Sequence, residues 1–275
     1  MFASYPPVRN RRAFSTRAGV RASPSRFGSS PSSIRSRLIR SCTLVLYIAV
    51  FSIPALAQED PDALYRGRED SVKAQRAVEI WNSRLAASPR DFESAWKLAR
   101  AEYWLGTQGP MAERRAALER GTDAGRIASM IVAARPEGHF WMAANMGALA
   151  ESYGLRQGIK YRGPIKDGLD KVLMIDPGFQ KGSADRALGR WYFKVPGLFG
   201  GSKKKSEEHL RKSLTYDPNS TASHYFLAET LLDEDRKDDA RAELQKVLDA
   251  PLDPDWTAED RDFKEKARRL MTSIK

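Results

Sequence analysis

The sequence contains few of the residues that build catalytic or metal centres. Only Cys42 is a cysteine, so no disulfide can form within the chain. The three histidines, His139, His209 and His224, show no H-x-x-x-H or Cys/His spacing typical of a zinc site. The G-x-S-x-G pattern of a serine nucleophile is also absent. We therefore expect no catalytic residues, no metal site and no cofactor.

A glycine-rich stretch, GLFGGSKK at 197–204, superficially resembles a phosphate-binding loop. The P-loop pattern requires glycine where Ser202 stands and a strand before the loop, whereas helical periodicity precedes it here. We interpret it as a turn before a helix whose first residues are lysines. A weaker anion site at that helix N-terminus stays open, because free backbone N–H groups favour negative charge there.

The net charge of +11 is concentrated at the N-terminus. Residues 1–57 hold nine arginines and no acidic residue, which leaves 37 basic and 35 acidic side chains among the other 218 residues. Phosphate recognition requires a concentrated basic surface, and this one lies in a segment that we expect to be removed. The sequence therefore does not favour nucleic acid as a partner.

The N-terminal segment has the pattern of an export signal. Basic residues precede an apolar run from Cys42 to Leu56, and Ala55-Leu56-Ala57 forms an A-x-A cleavage site. The run of 15 residues is shorter than the roughly 20 that span a bilayer, so we expect cleavage near Ala57 and no membrane span in the mature chain. A lipoprotein would need a cysteine just after the apolar run, whereas Cys42 begins it.

The residues ahead of Arg35 are rich in Ser, Pro and Arg and have two interpretations. One is a mitochondrial transit peptide, and the other is a translation start near Leu38. We favour the second because a transit peptide does not require an A-x-A site. The predicted organisation is an export signal over 1–57, a linker over 58–69 and a helical domain over 70–275, in the periplasm or secreted, with a mitochondrial location as the alternative.

The stretch from Ser206 to Leu248 shows the structural unit of the domain most clearly. Apolar residues recur at helical spacing, and Asp217-Pro218 ends the first of three helices because proline lacks a backbone donor and clashes with the preceding turn. Two amphipathic helices of this length cannot bury their apolar faces alone. The stretch therefore predicts helix pairs that stack on one another.

These pairs resemble the tetratricopeptide repeat (TPR), with Pro218 closing the preceding repeat. The residues that carry the resemblance are Leu227, Ala228, Leu231, Ala240, Leu244 and Val247. Each repeat consists of a first and a second helix. The same pattern assigns Ala77, Trp81 and the closing Pro89 to the second helix of one repeat, and Trp96 and Tyr103 to the first helix of the following repeat.

Prolines 89, 136, 177 and 218 are 47, 41 and 41 residues apart, longer than the usual 34. We assign the excess to glycine- or proline-rich insertions at 106–110, 153–164 and 196–202. The helices are predicted at 70–87, 91–105, 111–134, 138–152, 162–175, 180–195, 203–215, 220–233, 237–249 and 258–273. The predicted fold is an all-α, TPR-like solenoid of antiparallel pairs with a C-terminal capping helix.

Aromatic residues concentrate on the first helices, which line the concave face of this type of solenoid. Trp96, Tyr103, Leu188 and Tyr192 fall at packing positions and are expected to be structural. Adjacent residues lie about 100° apart on a helix, so some neighbouring aromatics must face a groove, where Trp and Arg commonly anchor partners. The groove candidates are Trp104, Trp141, Asn145, Arg190 and Trp191.

The run from His139 to Leu210 resembles two families of divergent repeat proteins. Its LGRWYFKVPGLFGG segment at 188–201 is similar to an LGxWxY stretch of the regulator of microtubule dynamics family. The proline/glycine-rich loop before a repeat helix looks like that of the periplasmic T-component of tripartite ATP-independent (TRAP) transporters. The similarity covers about residues 70–250, and the export signal favours the exported family as the analogy.

Two functions stay open. The first is a non-enzymatic exported scaffold that holds a protein or peptide partner in its concave groove, with a transporter component as one candidate partner. The second, which the T-component resemblance implies, is an accessory of a periplasmic uptake system that holds a small apolar ligand.

Overall fold

The computed structural model describes residues 59–274, which form eleven α-helices, one 3₁₀ turn at Gly197–Phe199 and no strand. The predicted export signal, including Cys42 and the cleavage site after Ala57, lies outside these residues. The helices are α1 Pro61–Arg66, α2 Ser71–Ala87, α3 Phe92–Gln108, α4 Arg114–Ile131, α5 Pro136–Ser152, α6 Leu155–Ile175, α7 Phe179–Lys194, α8 Lys203–Tyr216, α9 Thr221–Asp233, α10 Lys237–Asp249 and α11 Thr257–Ser273.

Short polar side chains start several of these helices, as the sequence indicates. The carboxylates of Asp70 and Asp91 accept hydrogen bonds from the amides of Val72 and Ser94, at 3.0 and 3.1 Å. Ser202 begins α8 in the same way, so the lysines of the glycine-rich stretch lie in the first turn of a helix. Each cap satisfies a backbone N–H that has no partner within its own helix.

Neighbouring helices pack in sequence from α1 to α11, and short turns make consecutive helices antiparallel. The first helices of each pair, α3, α5, α7 and α9, also contact one another in order, and α11 contacts α9. They therefore form a continuous layer, and the second helices α2, α4, α6, α8 and α10 lie outside it. We call the free side of the first-helix layer the inner face.

The predicted all-α solenoid is confirmed. Leu210, Leu227, Leu231, Leu244 and Val247, which carry the repeat pattern, are all fully buried in one cluster. The last helix, α11, packs against α9 and α10 through residues such as Ala267 and leaves its charged face exposed, as a capping helix does. Within residues 59–274, no helix is both long and apolar enough to cross a bilayer.

The predicted linker over 58–69 is not extended, because residues 61–66 form the short helix α1. Asp60 caps this helix and Pro61 occupies its first position, where a proline loses no helical hydrogen bond. A tertiary contact holds α1 in place: Tyr65 is 6% exposed, and its ring lies 5.9 Å from that of Trp81 in α2. That contact cannot be deduced from a short polar sequence.

Helix α6 begins at Leu155 instead of the predicted 162 and contains Pro164. Gly154 precedes it with φ of +82°, a conformation that glycine adopts without strain. Pro164 is exposed, and water can therefore satisfy the carbonyl that loses its partner. The second insertion is thus a helical extension, held by Ile165 and Leu169 further along the same helix.

Candidate functional site

The inner face carries a charged bridge across three first helices, centred on the groove candidate Arg190 of α7. Its guanidinium donates to Glu151 of α5 at 3.1 and 3.0 Å and to Glu229 of α9 at 2.5 Å. It also lies 4.7 Å from the ring centre of Phe226. Burial lowers the pKa of Arg190, but the two carboxylates outweigh that effect and leave the pKa above its usual value. Arg190 therefore fixes the spacing of three helices.

Two other groove candidates, Trp141 and Asn145, are packed inside the helix layers. They are 2% and 0% exposed. The amide of Asn145 donates to the carbonyl oxygens of Ala99 and Trp141, at 3.0 and 2.8 Å, and thereby joins α5 to α3. The Trp141 ring lies 5.7 Å from that of Tyr103. In this structure both residues hold the layer together and neither presents an open surface.

The remaining candidates, Trp104 and Trp191, use their indole nitrogens within the fold. Trp104 donates to the carbonyl of Arg68 at 2.8 Å, and Trp191, 9% exposed, donates to the carbonyl of Arg162 at 3.0 Å. Trp104 thus contacts the α1–α2 turn, while Trp191 fixes the first half of α6. Only Trp104 keeps a half-exposed ring on the inner face.

The buried positions of α3 lie one residue earlier than the predicted register. Ala95, Ala99 and Glu102 are at most 1% exposed, whereas Trp96 and Tyr103 are half-buried. Both aromatics still pack against the main core, with the Tyr103 ring 5.7 Å from that of the buried Trp141, so their structural interpretation holds, although they lie at the edge of the core on the inner side of α3. The same interpretation is confirmed for Leu188 and Tyr192, which are 1% and 7% exposed.

Two arginines that the sequence analysis missed lie on the inner face next to these aromatics. The Arg100 guanidinium is 4.1 Å from the ring centre of Tyr65 and 5.0 Å from that of Trp96, and its buried Nε has no partner. Its nearest carboxylate is that of Asp62, at 3.6 Å. Burial lowers the pKa of Arg100, although the group remains a cation at neutral pH.

Arg186 is one helical turn before Arg190 on the same side of α7. Burial lowers its pKa, and the acidic residues that offset this effect, Asp217 and Asp260, act on it from a distance without a hydrogen bond. Among residues 59–274, Arg186 makes no ion pair. It could have been found from the sequence, because residues four apart share one helix face.

Two phenols, the buried Tyr65 and the half-buried Tyr103, lie beside these cations. Burial raises the pKa of both Tyr65 and Tyr103 to about 12, despite neighbouring arginine charges that lower it. The hydroxyls therefore stay protonated and can donate hydrogen bonds. Guanidinium and phenol donors together suit oxygen atoms that carry negative charge, such as those of a carboxylate.

The two ends of the described chain meet over this part of the inner face. Arg68, 6% exposed, donates to Glu259 of α11 at 2.5 and 3.2 Å and to the carbonyl of Asp255 at 3.0 Å. Arg261 of α11 pairs with Glu69 at 2.8 Å. We call these contacts the clasp. No local pattern predicts them, because the partners are 187–192 residues apart.

Each of the three histidines has a structural partner. The ring of His224 bonds Glu243 at 2.5 Å, that of His209 bonds Asp185 at 2.7 Å, and that of His139 bonds the carbonyl of Ala133 at 3.0 Å. Among residues 59–274, no three His, Cys, Asp or Glu side chains are grouped as metal ligands would be.

Comparison with known proteins identifies the family. The model for regulator of microtubule dynamics protein 1-3 matches residues 58–205, more than half of the chain. The chain belongs to this family. The model for the TRAP transporter T-component matches residues 137–274, so both resemblances noted in the sequence are confirmed.

A curated relative, regulator of microtubule dynamics protein 3 of Rattus norvegicus, is 27% identical over 179 residues. The match covers 64% of this chain but only 37% of the rat protein. Among solved structures, a thermophilic TPR protein of Thermus thermophilus aligns with 77% of this chain and 97% of its own, at 19% identity and a TM-score of 0.58. MamA aligns with 76% of this chain and 98% of its own, at 13% identity and a TM-score of 0.45. The first of these structures supports the TPR fold.

Proposed function

We propose that this family member is an exported, non-enzymatic scaffold that binds a protein or peptide partner on its inner face. The observation that carries the proposal is Arg186, a half-buried guanidinium on the inner side of α7 that makes no ion pair among residues 59–274. A partly desolvated cation without an ion pair is stabilised when a counter-charge approaches it. An acidic side chain or a C-terminal carboxylate of the partner would supply that charge.

The neighbouring residues suit such a partner. Tyr103 offers a protonated hydroxyl near Arg186, and Trp104 and Phe193 have half-buried rings on the same face. Arg190 is already paired with two carboxylates, so we assign it to positioning and not to direct charge recognition. Trp and Arg on a concave surface are residues that commonly anchor partners.

A small apolar ligand on the same face is the second candidate. The clasp favours this second candidate. Arg68 covers Trp104, with the guanidinium carbon 5.1 Å from the ring centre, and the charge of Glu259 raises the pKa of Tyr103. An inner face covered at one end suits a compact ligand better than a long peptide. The match to the T-component family agrees with this candidate.

Native mass spectrometry of protein purified from the periplasm separates the two candidates. A co-purified protein that is lost from Arg186→Ala supports the scaffold, whereas a retained small molecule supports the second candidate. Arg126→Ala on the outer helix α4 is the matched control, since Arg126 is exposed and pairs only with Asp123 within its own helix. A partner retained equally by both variants would contradict the assignment of Arg186.

Export is tested on the same preparation. We expect the mature protein to begin at Gln58 and to be recovered in the periplasmic fraction. A purified protein that keeps residues 1–57 would contradict this part of the proposal.

A further inference from the structure

The three first-to-second turns of the pairs α3/α4, α5/α6 and α7/α8 lie at one edge of the solenoid, because consecutive helices are antiparallel. The three insertions that lengthen the repeats lie at these turns, the second of them as the first half of α6, which begins directly after the α5/α6 turn. The ring of Phe199 lies 5.3 Å from the guanidinium carbon of Arg162, and that of Tyr153 lies 5.5 Å from that of Arg115. We call this surface the insertion edge.

The insertion edge exposes large apolar side chains. Leu198 is 90% exposed, Leu155 72%, Ile159 54% and Phe199 42%, and Met111 on the neighbouring turn is 78% exposed. Side chains of this size are rarely exposed together on a soluble protein unless the surface meets an apolar partner. Leu155 and Ile159 are four residues apart, so they lie on one side of α6.

The same edge is strongly basic. Residues 152–166 contain four Lys or Arg and no acidic residue, and residues 191–206 likewise contain four and none. Arg156, Lys160, Lys204 and Lys205 are exposed. The patch ends at the fourth pair, where the turn carries Asp233, Glu234 and Asp235, and Lys203 already pairs with Asp233 at 2.8 Å.

A cleft of about 610 Å³ opens between the first turns of α4 and α6. It is lined by Arg115, Tyr153, Arg156, Gln157 and Lys160, and it contains no acidic side chain. Arg115 also bonds Glu119, at 3.1 Å. Three cations around one cleft suit a phosphate group.

We propose that the insertion edge docks on an anionic membrane surface. Leu155, Ile159, Leu198 and Phe199 enter the headgroup region, and the cleft between α4 and α6 receives a phosphate headgroup. Basic charge alone would equally suit a nucleic acid, but exposed leucine, isoleucine and phenylalanine among the basic residues are typical of a surface that enters the membrane interface. This surface is separate from the inner face, so the proposal is independent of the partner-binding function.

A fluorescent label at the edge tests this docking directly. In the mature protein beginning at Gln58, which contains no cysteine, Leu198→Cys is labelled with an environment-sensitive nitrobenzoxadiazole group and mixed with vesicles of phosphatidylcholine, with or without phosphatidylglycerol. We expect a blue shift only with phosphatidylglycerol. The control label at Met174→Cys lies on the opposite edge, where Met174 is 78% exposed, and should not respond. An unchanged label at position 198, or equal shifts at both positions, would overturn the proposal.

Charge reversal measures the electrostatic contribution. Arg156→Glu/Lys160→Glu should weaken vesicle binding at least about tenfold, since each basic residue near an anionic surface adds to the favourable interaction and each reversal also introduces repulsion. The matched control Arg90→Glu/Lys171→Glu, at exposed positions on the opposite edge, should change it by less than about threefold. Equal losses of vesicle binding in both variants would refute membrane docking. Membrane docking would also be refuted if the protein binds duplex DNA but not vesicles, with the label at position 198 unchanged.

Discussion

The clasp makes a specific prediction about how the solenoid is stabilised. Arg68 is almost fully buried, makes two hydrogen bonds to Glu259 and one to the carbonyl of Asp255, and lies over the rings of Tyr65 and Trp104. In Arg68→Ala all of these contacts are lost, and the carboxylate of Glu259 is left with its side chain 23% exposed and without a partner. The change therefore removes the main link between the ends of the described chain.

Removing one partner of a buried ion pair costs about 3–5 kcal/mol. Because Glu259 keeps some contact with water, we expect a smaller loss of unfolding free energy, about 2–3 kcal/mol. For a chain of this size that corresponds to a fall in Tm of about 4–12 °C. The stability of Arg68→Lys should lie between those of the parent and Arg68→Ala, because lysine keeps the charge but lacks the planar guanidinium and its stacking on the rings.

Thermal and urea unfolding followed by circular dichroism measure these changes, and hydrogen exchange shows where they occur. Exchange should accelerate first in α1 and at the start of α11. Arg76→Ala is the control: Arg76 pairs with Glu59 and Glu79, but its side chain is 50% exposed, so its removal should destabilise the fold far less than Arg68→Ala does. If Arg68→Ala is no more destabilising than Arg76→Ala, the clasp does not stabilise the fold.

Two further predictions concern packing and pH. A methyl group at Gly189 would come within 2.5 Å of Leu210, so Gly189→Ala should destabilise the fold by about 1–3 kcal/mol. A methyl group at Gly147 would have nothing within 4 Å, so Gly147→Ala should stabilise the fold by up to about 1 kcal/mol. Urea unfolding that ranks the two variants the other way would contradict this packing. Burial raises the pKa of Glu243, but hydrogen bonds from His224 and Lys246 outweigh it and hold the pKa below its ordinary value of 4.5. This contribution to stability is complete above the pKa of Glu243 in the unfolded chain and is lost as the pH falls through its pKa in the folded protein. The unfolding free energy should therefore drop below about pH 4.5. If the unfolding free energy of Glu243→Gln falls with acid as steeply as that of the parent, Glu243 is not responsible.

The sequence predicted the repeat fold because its signals are local. Helical spacing of apolar residues and Asp-Pro at helix ends each act within a few residues. Ten of the eleven helices follow from these signals, and Leu227, Leu231 and Leu244 are buried as the repeat pattern requires. The missed helix, α1, depends on the contact of Tyr65 with Trp81, which lies on another helix.

The candidate site was predictable only in outline. The pattern correctly placed aromatic and arginine residues on the first helices, but it could not decide which side of each helix they occupy. In α3 a shift of one residue, about 100° of rotation, gives the fully buried positions to Ala95, Ala99 and Glu102 and leaves Trp96 and Tyr103 at the edge of the core on the inner side. In α5 the side chain of Asn145 points between the helices and donates a hydrogen bond to the carbonyl of Ala99 in α3.

The amino-acid pattern by itself therefore determined the helices, their pairing and the capping role of α11, because each depends on neighbours along the chain. Only the tertiary structure decided that Arg68 joins Glu259 from 191 residues away, that Arg186 has no ion-pair partner among residues 59–274, and that three separate insertions meet at one edge. The physical reason is that helix stacking brings distant residues together, and the rotation of each helix within its layer then fixes which side chains meet.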